Sequence, residues 1–254
     1  MNLIILTDRD TAGDGGYRLT DERAEHVRTV LRASPGDTVA VGMLNGPQGT
    51  ARIAQIDERE VVLEIEHLEE QRPLIPAVDL ICALPRPQTL KKVLVTAATM
   101  GVRRLHLIRA NRVEKSYFHS PLLQPAHYTR FLIEGLSQGR LTRLPEVQIH
   151  DRFRPFFEDT LPSLDMAEST GTLRLLPDPE GTGAVDSYYD GTQERLTIAV
   201  GPEGGWVPFE IDLMTHAGFR RFSLGRFTLR VETAVAAVLA QVELLRARTA
   251  RNRA

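Results

Sequence analysis

Two glycine-bearing stretches in the second half of the chain have residue types suited to binding a small ligand. One reads V-G-P-E-G-G-W at residues 200–206, and the other reads S-L-G-R-F-T-L-R at residues 223–230; each follows an apolar run. Glycine lets the backbone approach a ligand closely, and the free N–H groups of such a turn can bind an adenine edge or a carboxylate. A tight turn without a ligand is the simpler alternative for either stretch alone. Two such stretches at neighbouring strand ends favour a binding site.

Other catalytic chemistries have no motif in this sequence. There are seven histidines and one cysteine but no H-E-x-x-H, so we predict no metal site. No G-x-S-x-G, G-x-G-x-x-G or G-K-[ST] is present, which argues against a serine hydrolase, a dinucleotide fold and a P-loop. Cys82, in V-D-L-I-C-A-L, is typical of a buried structural thiol.

The composition is that of an ordinary globular protein with no global attraction for polyanions. The 254 residues carry a net charge of −2, and 42% of them are hydrophobic. No apolar run reaches the roughly 18 residues that a membrane span needs, and M-N-L-I-I-L-T-D-R-D is typical of a first strand rather than a signal peptide. We therefore expect a cytoplasmic protein with no membrane partner. Arginines still gather in short clusters, which either bind phosphate or form solvated faces.

The elements that position the two stretches fall into two parts. The segment E-E-Q-R-P-L-I-P-A-V-D has two prolines between an acidic stretch and a new apolar run, which indicates a linker. Strand-like patterns precede it at 3–6, 37–44, 50–56 and 60–66. One helix interrupts them, with Thr20 as its N-cap and with Val27, Val30 and Leu31 on one face. Residues 1–72 are therefore predicted to form a small, mostly β barrel.

After the linker, strand and helix patterns alternate. Strands are predicted at 78–84, 104–110, 172–177, 196–201 and 219–225, and helices at 88–101, 120–139 and 208–217. The 120–139 helix has Ser120 as its cap, although Pro125 is an alternative start. A final helix places Val235, Val238, Leu239 and Val242 on one stripe. Residues 73–254 are therefore predicted to form a parallel sheet flanked by helices.

The second half also resembles a known family. The run G-P-E-G-G, a helix, A-G-F, S-L-G and L-R-x-E-T-A resembles the C-terminal signature of the RsmE family, SPOUT-class methyltransferases acting on N3 of a uridine in small-subunit ribosomal RNA. H-V-R-T-V-L-R, L-P-R-P-Q-T-L-K-K-V-L, R-V-E-K-S-Y-F-H-S-P and S-Q-G-R-L-T-R-L-P-E-V resemble its earlier segments in order. The resemblance covers nearly the whole chain.

The resemblance implies a PUA-like RNA-binding barrel over 1–72. It also implies a SPOUT domain over 73–254, whose trefoil knot binds S-adenosylmethionine in a homodimer. The positions it assigns to the cofactor are Leu176, Pro177, Val200, Gly201, Pro202, Glu203, Gly204, Gly205, Ser223, Leu224, Gly225 and Leu229.

The chain departs from the family pattern in three places. Where much of the family has Q-K-A-T-E-L-G, residues 95–101 read V-T-A-A-T-M-G, so the Gln, Lys and Glu are missing. A Pro-Arg pair after S-L-G is replaced by Arg226 and Phe227. R-V-E-K-S-Y-F stands where E-R-S-V-V is commoner. These departures are typical of a divergent branch.

Methyl transfer to N3 of uracil needs the N3–H proton to leave and the resulting anion to be stabilised. Arg230, beside the cofactor loops, is our candidate for that stabilisation, because guanidinium binds planar oxygens well. An ordinary ion pair with Glu232 or Glu203 is the alternative. Glu232 either accepts the proton or only favours the start of its helix, and we favour the second role.

Six cations are candidates for RNA binding. Arg28 and Arg32 lie four apart on a predicted helix face, from which they could reach successive phosphates. The six candidates are Arg28, Arg32, Arg112, Lys115, Arg140 and Arg143. The near-neutral net charge predicts modest affinity for free RNA, so we expect a structured particle, the small ribosomal subunit, as the substrate. Two alternatives stay open: a knotted methyltransferase for another RNA, and an RNA-binding assembly factor that has lost its cofactor site.

Overall fold

A computed structural model describes residues 2–12, 15–71, 74, 77–166 and 171–253 of the chain. The chain forms two compact units. The first unit consists of Met1–Arg72 and Ile133–Leu144, and the second of Pro73–Leu132 and Pro145–Ala254. The prolines of the predicted linker, Pro73 and Pro76, lie outside the described residues.

The first unit is built on a five-stranded sheet that is nearly closed into a barrel. Its elements are β1 (Ile4–Leu6), β2 (Tyr17–Leu19), α1 (Glu22–His26), β3 (Thr38–Met43), β4 (Gln48–Ile56) and β5 (Val61–Glu69). The strand order is β1-β3-β4-β5-β2, with β1 parallel to β3 and the other pairs antiparallel. Alternating side chains such as Val41, Ile53 and Leu63 are fully buried in its core. A 3-10 turn at Asp8–Asp10 follows β1.

The helix of this unit differs from its prediction. Asp21, not Thr20, is the N-cap, because its carboxylate accepts the Arg23 N–H at 3.0 Å. After α1 the chain continues as a π-helix over Val27–Leu31. Val27 is buried, but Val30 is 63% and Leu31 44% exposed, so the predicted apolar face is wrong beyond its first residue. The wider turn of a π-helix rotates those two side chains away from a 3.6-residue stripe.

An ion-pair cluster fastens α1 to the start of the chain. Arg23 Nη2 lies 2.5 Å from Asp10 Oδ1 and 2.7 Å from Asp21 Oδ2. Asp10 Oδ2 also accepts the Thr7 N–H at 2.7 Å. Burial raises the pKa of Asp10, but the hydrogen bonds from Arg23 and Thr7 outweigh it and hold that pKa below its ordinary value.

A segment from the middle of the chain completes the first unit. Thr142 is fully buried, its Oγ1 donates to the Gly46 carbonyl at 2.6 Å, and its N–H donates to Gln71 Oε1 at 3.1 Å. A side chain at Gly42 would place its Cβ 2.6 Å from Thr142 Cγ2. The Asn2 N–H donates to the Ser137 carbonyl at 3.2 Å. Residues far apart in sequence therefore share one core.

The second unit is built on a six-stranded parallel sheet. Its elements are β6 (Ala77–Ala83), α2 (Pro87–Thr99), β7 (Arg104–Ile108), the part of α3 (Pro125–Gly139) before residue 133, β8 (Glu146–His150), α4 (Phe153–Pro155), α5 (Leu161–Met166), β9 (Leu173–Pro177), β10 (Arg195–Val200), α6 (Pro208–His216), β11 (Arg220–Phe222) and α7 (Val231–Arg253). The order is β11-β9-β10-β6-β7-β8. A π-helix over Phe156–Thr160 joins α4 to α5.

Most of these strands and helices agree with the sequence prediction. The apolar runs that became β6 and β10 are buried almost throughout, as a parallel sheet covered on both faces requires. Val235, Val238, Leu239 and Val242 are buried along α7 as predicted. Ser120 caps only a 3-10 turn over Pro121–Leu123, and α3 begins at Pro125. Strands β2 and β8 and the helices over 153–166 were not predicted.

The loop between β9 and β10 closes tightly around the chain that leaves β11. A Cβ on Gly181 would lie 2.4 Å from the Phe222 carbonyl carbon, and the Ser223 N–H donates to the Gly183 carbonyl at 3.0 Å. Farther along the same loop, the Asp190 carbonyl accepts the Thr249 hydroxyl of α7 at 2.6 Å. Only glycine fits at 181, because any side chain would occupy the path of β11. This close passage is the local geometry that a chain threaded through a loop requires.

Two histidines share a hydrogen bond inside the second unit. His106 Nδ1 lies 3.2 Å from His150 Nε2, and His106 is 1% exposed. Burial lowers the pKa of His106 to about 4, with the charge of His150 acting in the same direction. Both rings pack on Phe156.

Membrane-spanning helices, metal-binding groups and the single cysteine were each considered in the sequence. Within the described ranges, no helix is long and apolar enough to cross a membrane. The same ranges hold no group of three His, Cys, Asp or Glu side chains arranged to bind a metal. Cys82 is fully buried, and burial, followed by the charge of Glu203, raises its pKa to about 12.

Candidate functional site

The strands that carry the predicted site end side by side. Strand β9 lies between β11 and β10, with Pro177 paired to Phe222 and Leu175 paired to Ile198. Because all three strands are parallel, their carboxyl ends meet at one edge of the sheet. The loops that follow them therefore share the position where open α/β sheets bind their ligands.

The turn after β10 is held open by glycine. Gly205 has a φ of 72°, in the left-handed region, and its N–H donates to the Pro202 carbonyl at 2.8 Å. Glu203 and Gly204 are exposed, and among the described residues their N–H groups have no acceptor. The turn therefore offers bare backbone donors toward solvent.

Two neighbouring side chains fix this turn. The Arg112 guanidinium donates to the Gly204 carbonyl. The Trp206 indole packs on Gly201, where a Cβ would come within 3.0 Å of Nε1, and that buried Nε1 has no hydrogen-bond partner among the described residues. Arg112, predicted to bind RNA, is thus engaged with the turn itself.

Glu210 ties the turn to the loop after β7. This carboxylate is 2% exposed; its Oε2 accepts the Val207 N–H at 2.9 Å and its Oε1 accepts the Asn111 N–H at 2.6 Å. Its sequence position does not single it out, because a glutamate in the first turn of a helix is typical of an ordinary cap. The spacing from Val207 could have indicated the cap, but not the bond to Asn111.

The loop after β11 is exposed and little hydrogen-bonded. The Ser223 hydroxyl donates to the Gly225 carbonyl at 3.0 Å, and Gly225 has a φ of 131°. Between Leu224 and Arg230, the only backbone N–H with an acceptor among the described residues is that of Gly225. Residues 225–228 are all exposed.

The two catalytic candidates have different surroundings. The exposed Arg230 guanidinium forms no ion pair with a described residue. Glu232 Oε1 instead lies 3.1 Å from Nζ of Lys92 in α2. A hydrogen bond to its own backbone N–H, with Lys92 adding to it, lowers the pKa of Glu232 below its ordinary value. Glu232 is therefore a carboxylate bound to a cation, which suits a positioning role better than proton transfer.

The RNA-binding candidates divide between the units. Arg28, Arg32, Arg140 and Arg143 belong to the first unit, because residues 133–144 pack there. Arg32 has a φ of 52° and caps the π-helix, so it does not share a helix face with Arg28 as predicted. Arg28 lies 3.0 Å from Glu25 Oε2 and also bonds the Asp57 carbonyl. Arg140 and Arg143 are exposed.

A cleft of about 460 Å³ lies beside the glycine turn in the second unit. Arg109, Lys115, Phe153 and Phe209 are among the side chains that line it. Arg109 follows β7 and Phe209 lies in the helix after the turn, so the cleft opens on the same strand-end edge. Lys115 is the predicted RNA-binding residue that faces this cleft.

Comparison with known proteins decides the family. A family model described as an RNA methyltransferase domain matches residues 71–243. The Ribosomal RNA small subunit methyltransferase E of Treponema pallidum is 31% identical over 243 residues, covering 95% of this chain and 90% of that protein. The chain belongs to the RsmE family of RNA methyltransferases.

Other family members agree along the whole length. The Bacillus subtilis Ribosomal RNA small subunit methyltransferase E is 24% identical, covering 96% of this chain and 97% of that protein. The crystal structure of the Neisseria gonorrhoeae protein of that name, bound to S-adenosyl methionine, matches with a TM-score of 0.73 at 21% identity, covering 96% and 98% of the two chains. The predicted fold class, a β-barrel-like unit with a SPOUT parallel-sheet domain, is confirmed.

Proposed function

We propose that this RsmE-family enzyme methylates N3 of a uridine in the 16S ribosomal RNA of the small subunit, with S-adenosylmethionine as methyl donor. The observation that carries the proposal is the meeting of three strand ends, two of them followed by glycine loops with bare backbone N–H groups, in a chain of this family. The name of the Treponema pallidum relative supports the choice of ribosomal RNA.

The residues at this edge fit such a cofactor. A nucleoside needs hydrogen-bond donors and acceptors of the backbone beside apolar surface, and the half-buried Leu224 and Leu229 lie next to the open glycine turns. The residues that would hold the cofactor are Leu176, Pro177, Val200, Gly201, Pro202, Glu203, Gly204, Gly205, Ser223, Leu224, Gly225 and Leu229. The cofactor supplies an electrophilic methyl group on a sulfonium.

The chain's own contribution is orientation and charge. Displacement at the methyl carbon is in line, so correct placement of the uracil can supply roughly 7–11 kcal/mol of the barrier. Arg230, exposed and without an ion pair, would stabilise the negative charge on a uracil oxygen as the N3 proton passes to water. Glu232 holds Lys92 and the start of α7, and we assign it no proton transfer.

RNA binding falls mainly to the first unit in this proposal. Arg32, Arg140 and Arg143 are exposed there, whereas Arg28 is partly engaged with Glu25. Lys115, in the cleft of the second unit, would contact the RNA near the reacting base, with Arg112 supporting the turn. Since the net charge is −2, we expect a folded ribonucleoprotein particle to bind better than free RNA.

We further propose a homodimer and a cytoplasmic location. The dimer follows from the family resemblance, and Leu244 on α7, 59% exposed, is an apolar side chain available to a second copy. The location follows from the proposed substrate, since ribosomal subunits are cytoplasmic. Sedimentation of the purified chain tests the dimer.

The experiment is transfer of labelled methyl from S-adenosylmethionine to small ribosomal subunits that lack their native uridine methylation, followed by digestion to nucleosides. Label in N3-methyluridine supports the proposal. Label in another nucleoside would assign the chain to a different RNA target, an outcome that the altered helix residues Val95–Gly101 keep in view. Absence of both label and cofactor binding would instead indicate an assembly factor.

A further inference from the structure

An aromatic ring stands exposed in the loop that follows β11. Phe227 is 68% exposed, and the guanidinium carbon of Arg226 lies 4.8 Å from its ring centroid. A ring of this size in water loses the stabilisation it would gain from burial. In the resemblance described above, these two positions carry a Pro-Arg pair, so the ring is a feature of this chain.

The charge around the ring is one-sided. Residues 223–231 contain Arg226 and Arg230 and no Asp or Glu. Both arginines are exposed, and neither forms an ion pair with a described residue. The ring therefore lies between two arginines that form no ion pair and attract a polyanion, while the nearby Glu232 is bound to Lys92.

The combination of a flat apolar face and adjacent guanidinium groups is how proteins bind unpaired nucleotides. The base stacks on the ring, while the cations meet the phosphates on either side. We propose that Phe227, backed by Arg226, is a stacking platform for an unpaired base of the RNA substrate next to the methylated nucleotide. This inference rests on the proposed function and adds a positioning residue to it.

The cofactor is a poorer occupant of this ring. S-adenosylmethionine carries a sulfonium and an ammonium against one carboxylate, so its net charge is positive. Two unpaired arginines beside the ring repel such a molecule and attract RNA.

The other exposed phenylalanine in the described part of the chain has surroundings of mixed charge. Phe209 is 55% exposed, and its cleft is lined by Asp151 as well as by Arg109 and Lys115. Asp151 offsets part of the attraction that these two cations exert on phosphate. This contrast favours Phe227 as the platform.

The test compares Phe227→Tyr with Phe227→Leu in the full-length enzyme. Tyrosine keeps a flat ring, whereas leucine keeps the apolar character and loses the ring. Binding of small ribosomal subunits lacking their uridine methylation is measured by filter retention, and S-adenosylmethionine binding by calorimetry. We expect the tyrosine variant within threefold of wild type and the leucine variant weakened roughly tenfold to one hundredfold, with cofactor binding unchanged.

Three results would overturn the platform. If the Phe227→Leu variant bound small ribosomal subunits as tightly as the wild type, no ring would be needed. A loss of cofactor affinity in Phe227→Leu would assign the ring to the cofactor pocket, and a change in sedimentation would assign it to a subunit interface. The subunit-binding comparison stands even if the wild-type enzyme transfers no methyl group, so failure of the proposed function is seen separately.

Discussion

The arginines of the two units illustrate different uses of the same side chain. In the first unit, Arg23 is 16% exposed and joins two aspartates, and Arg28 is paired with Glu25. In the loop after β11, Arg226 and Arg230 are exposed, and no acidic residue lies within the loop. An arginine cluster in a sequence therefore indicates a binding surface only where acids are absent from its neighbourhood. Arg23 and Arg28, by contrast, bind acidic residues within the first unit and stabilise its fold.

Among the substitutions that test this difference, we expect the largest effect, a loss of catalytic rate, at Arg230. Replacing Arg230 with Ala should lower kcat by about 10²–10³-fold, because the developing negative charge on the uracil loses its nearest cation. The melting temperature should stay unchanged, since the side chain is exposed and makes no ion pair. Steady-state methyl transfer and thermal unfolding check both statements.

Arg230→Lys is the matched control. It keeps the charge but not the planar donor pair, so its kcat should lie between those of the wild type and the Ala variant. An Ala variant within threefold of wild type would remove Arg230 from the mechanism.

Arg23→Ala should have the opposite profile. Removing this guanidinium leaves the carboxylate of Asp10, 7% exposed, without its cation, which should cost about 3 kcal/mol of the free energy of unfolding of the first unit. Hydrogen exchange of the β3–β5 amides measures the loss. Arg28→Ala is the control and should cost less than about 1 kcal/mol, because Glu25 is exposed. Equal losses at the two positions would contradict the distinction.

Lowering the pH should destabilise the second unit before it destabilises the first. The pKa of His106 is about 4 in the folded state and ordinarily near 6.5, so the unfolded state binds the proton first as the pH falls. The second unit should lose about 2 kcal/mol between pH 7 and pH 5, and His150, whose pKa burial also lowers, acts in the same direction. The lowered pKa of Asp10 affects the first unit only below about pH 4. Urea unfolding followed by Trp206 fluorescence reports the second unit, and His106→Leu should flatten its pH dependence. A second unit equally stable at both pH values would refute this assignment.

The smallest effect is expected at Glu232. Glu232→Gln removes the ion pair with Lys92, whose side chain is 61% exposed, and should cost less than about 1 kcal/mol and less than threefold in kcat. Lys92→Gln should give the same small loss of stability, which denaturant titration measures. A fall in kcat of a hundredfold for Glu232→Gln alone would instead make this carboxylate the proton acceptor.

The sequence predicted those strands and helices whose buried residues follow a regular hydrophobic spacing within one short segment. The buried runs of β6 and β10 and the stripe on α7 follow from hydrophobic periodicity alone. β8 was missed because none of its side chains is fully buried at the sheet edge, and its sequence E-V-Q-I-H is mostly polar. The π-helix after α1 was missed because its register departs from the period used to find it.

The glycine turns of the site were found by residue type, but their supports were not. Glu210, Asn111 and Trp206 act through contacts between segments far apart in sequence, and no spacing rule joins Asn111 to a carboxylate 99 residues later. The same limit hid the grouping of Arg140 and Arg143 with the first unit. Long-range packing decides such relations, and one sequence does not display it.

The buried contacts of Thr142 have a consequence for the order of events during synthesis. The first unit needs Gln71 and Gly46 to meet Thr142, which is synthesised 71 and 96 positions after them, at roughly 5–20 residues per second. Until Thr142 is synthesised, its Cγ2 methyl group cannot fill the space beside Gly42 at the edge of the barrel. The amino-terminal unit therefore completes its core only after much of the second unit's chain has been made. Closing so long a loop adds a conformational-entropy cost that grows only slowly with its length.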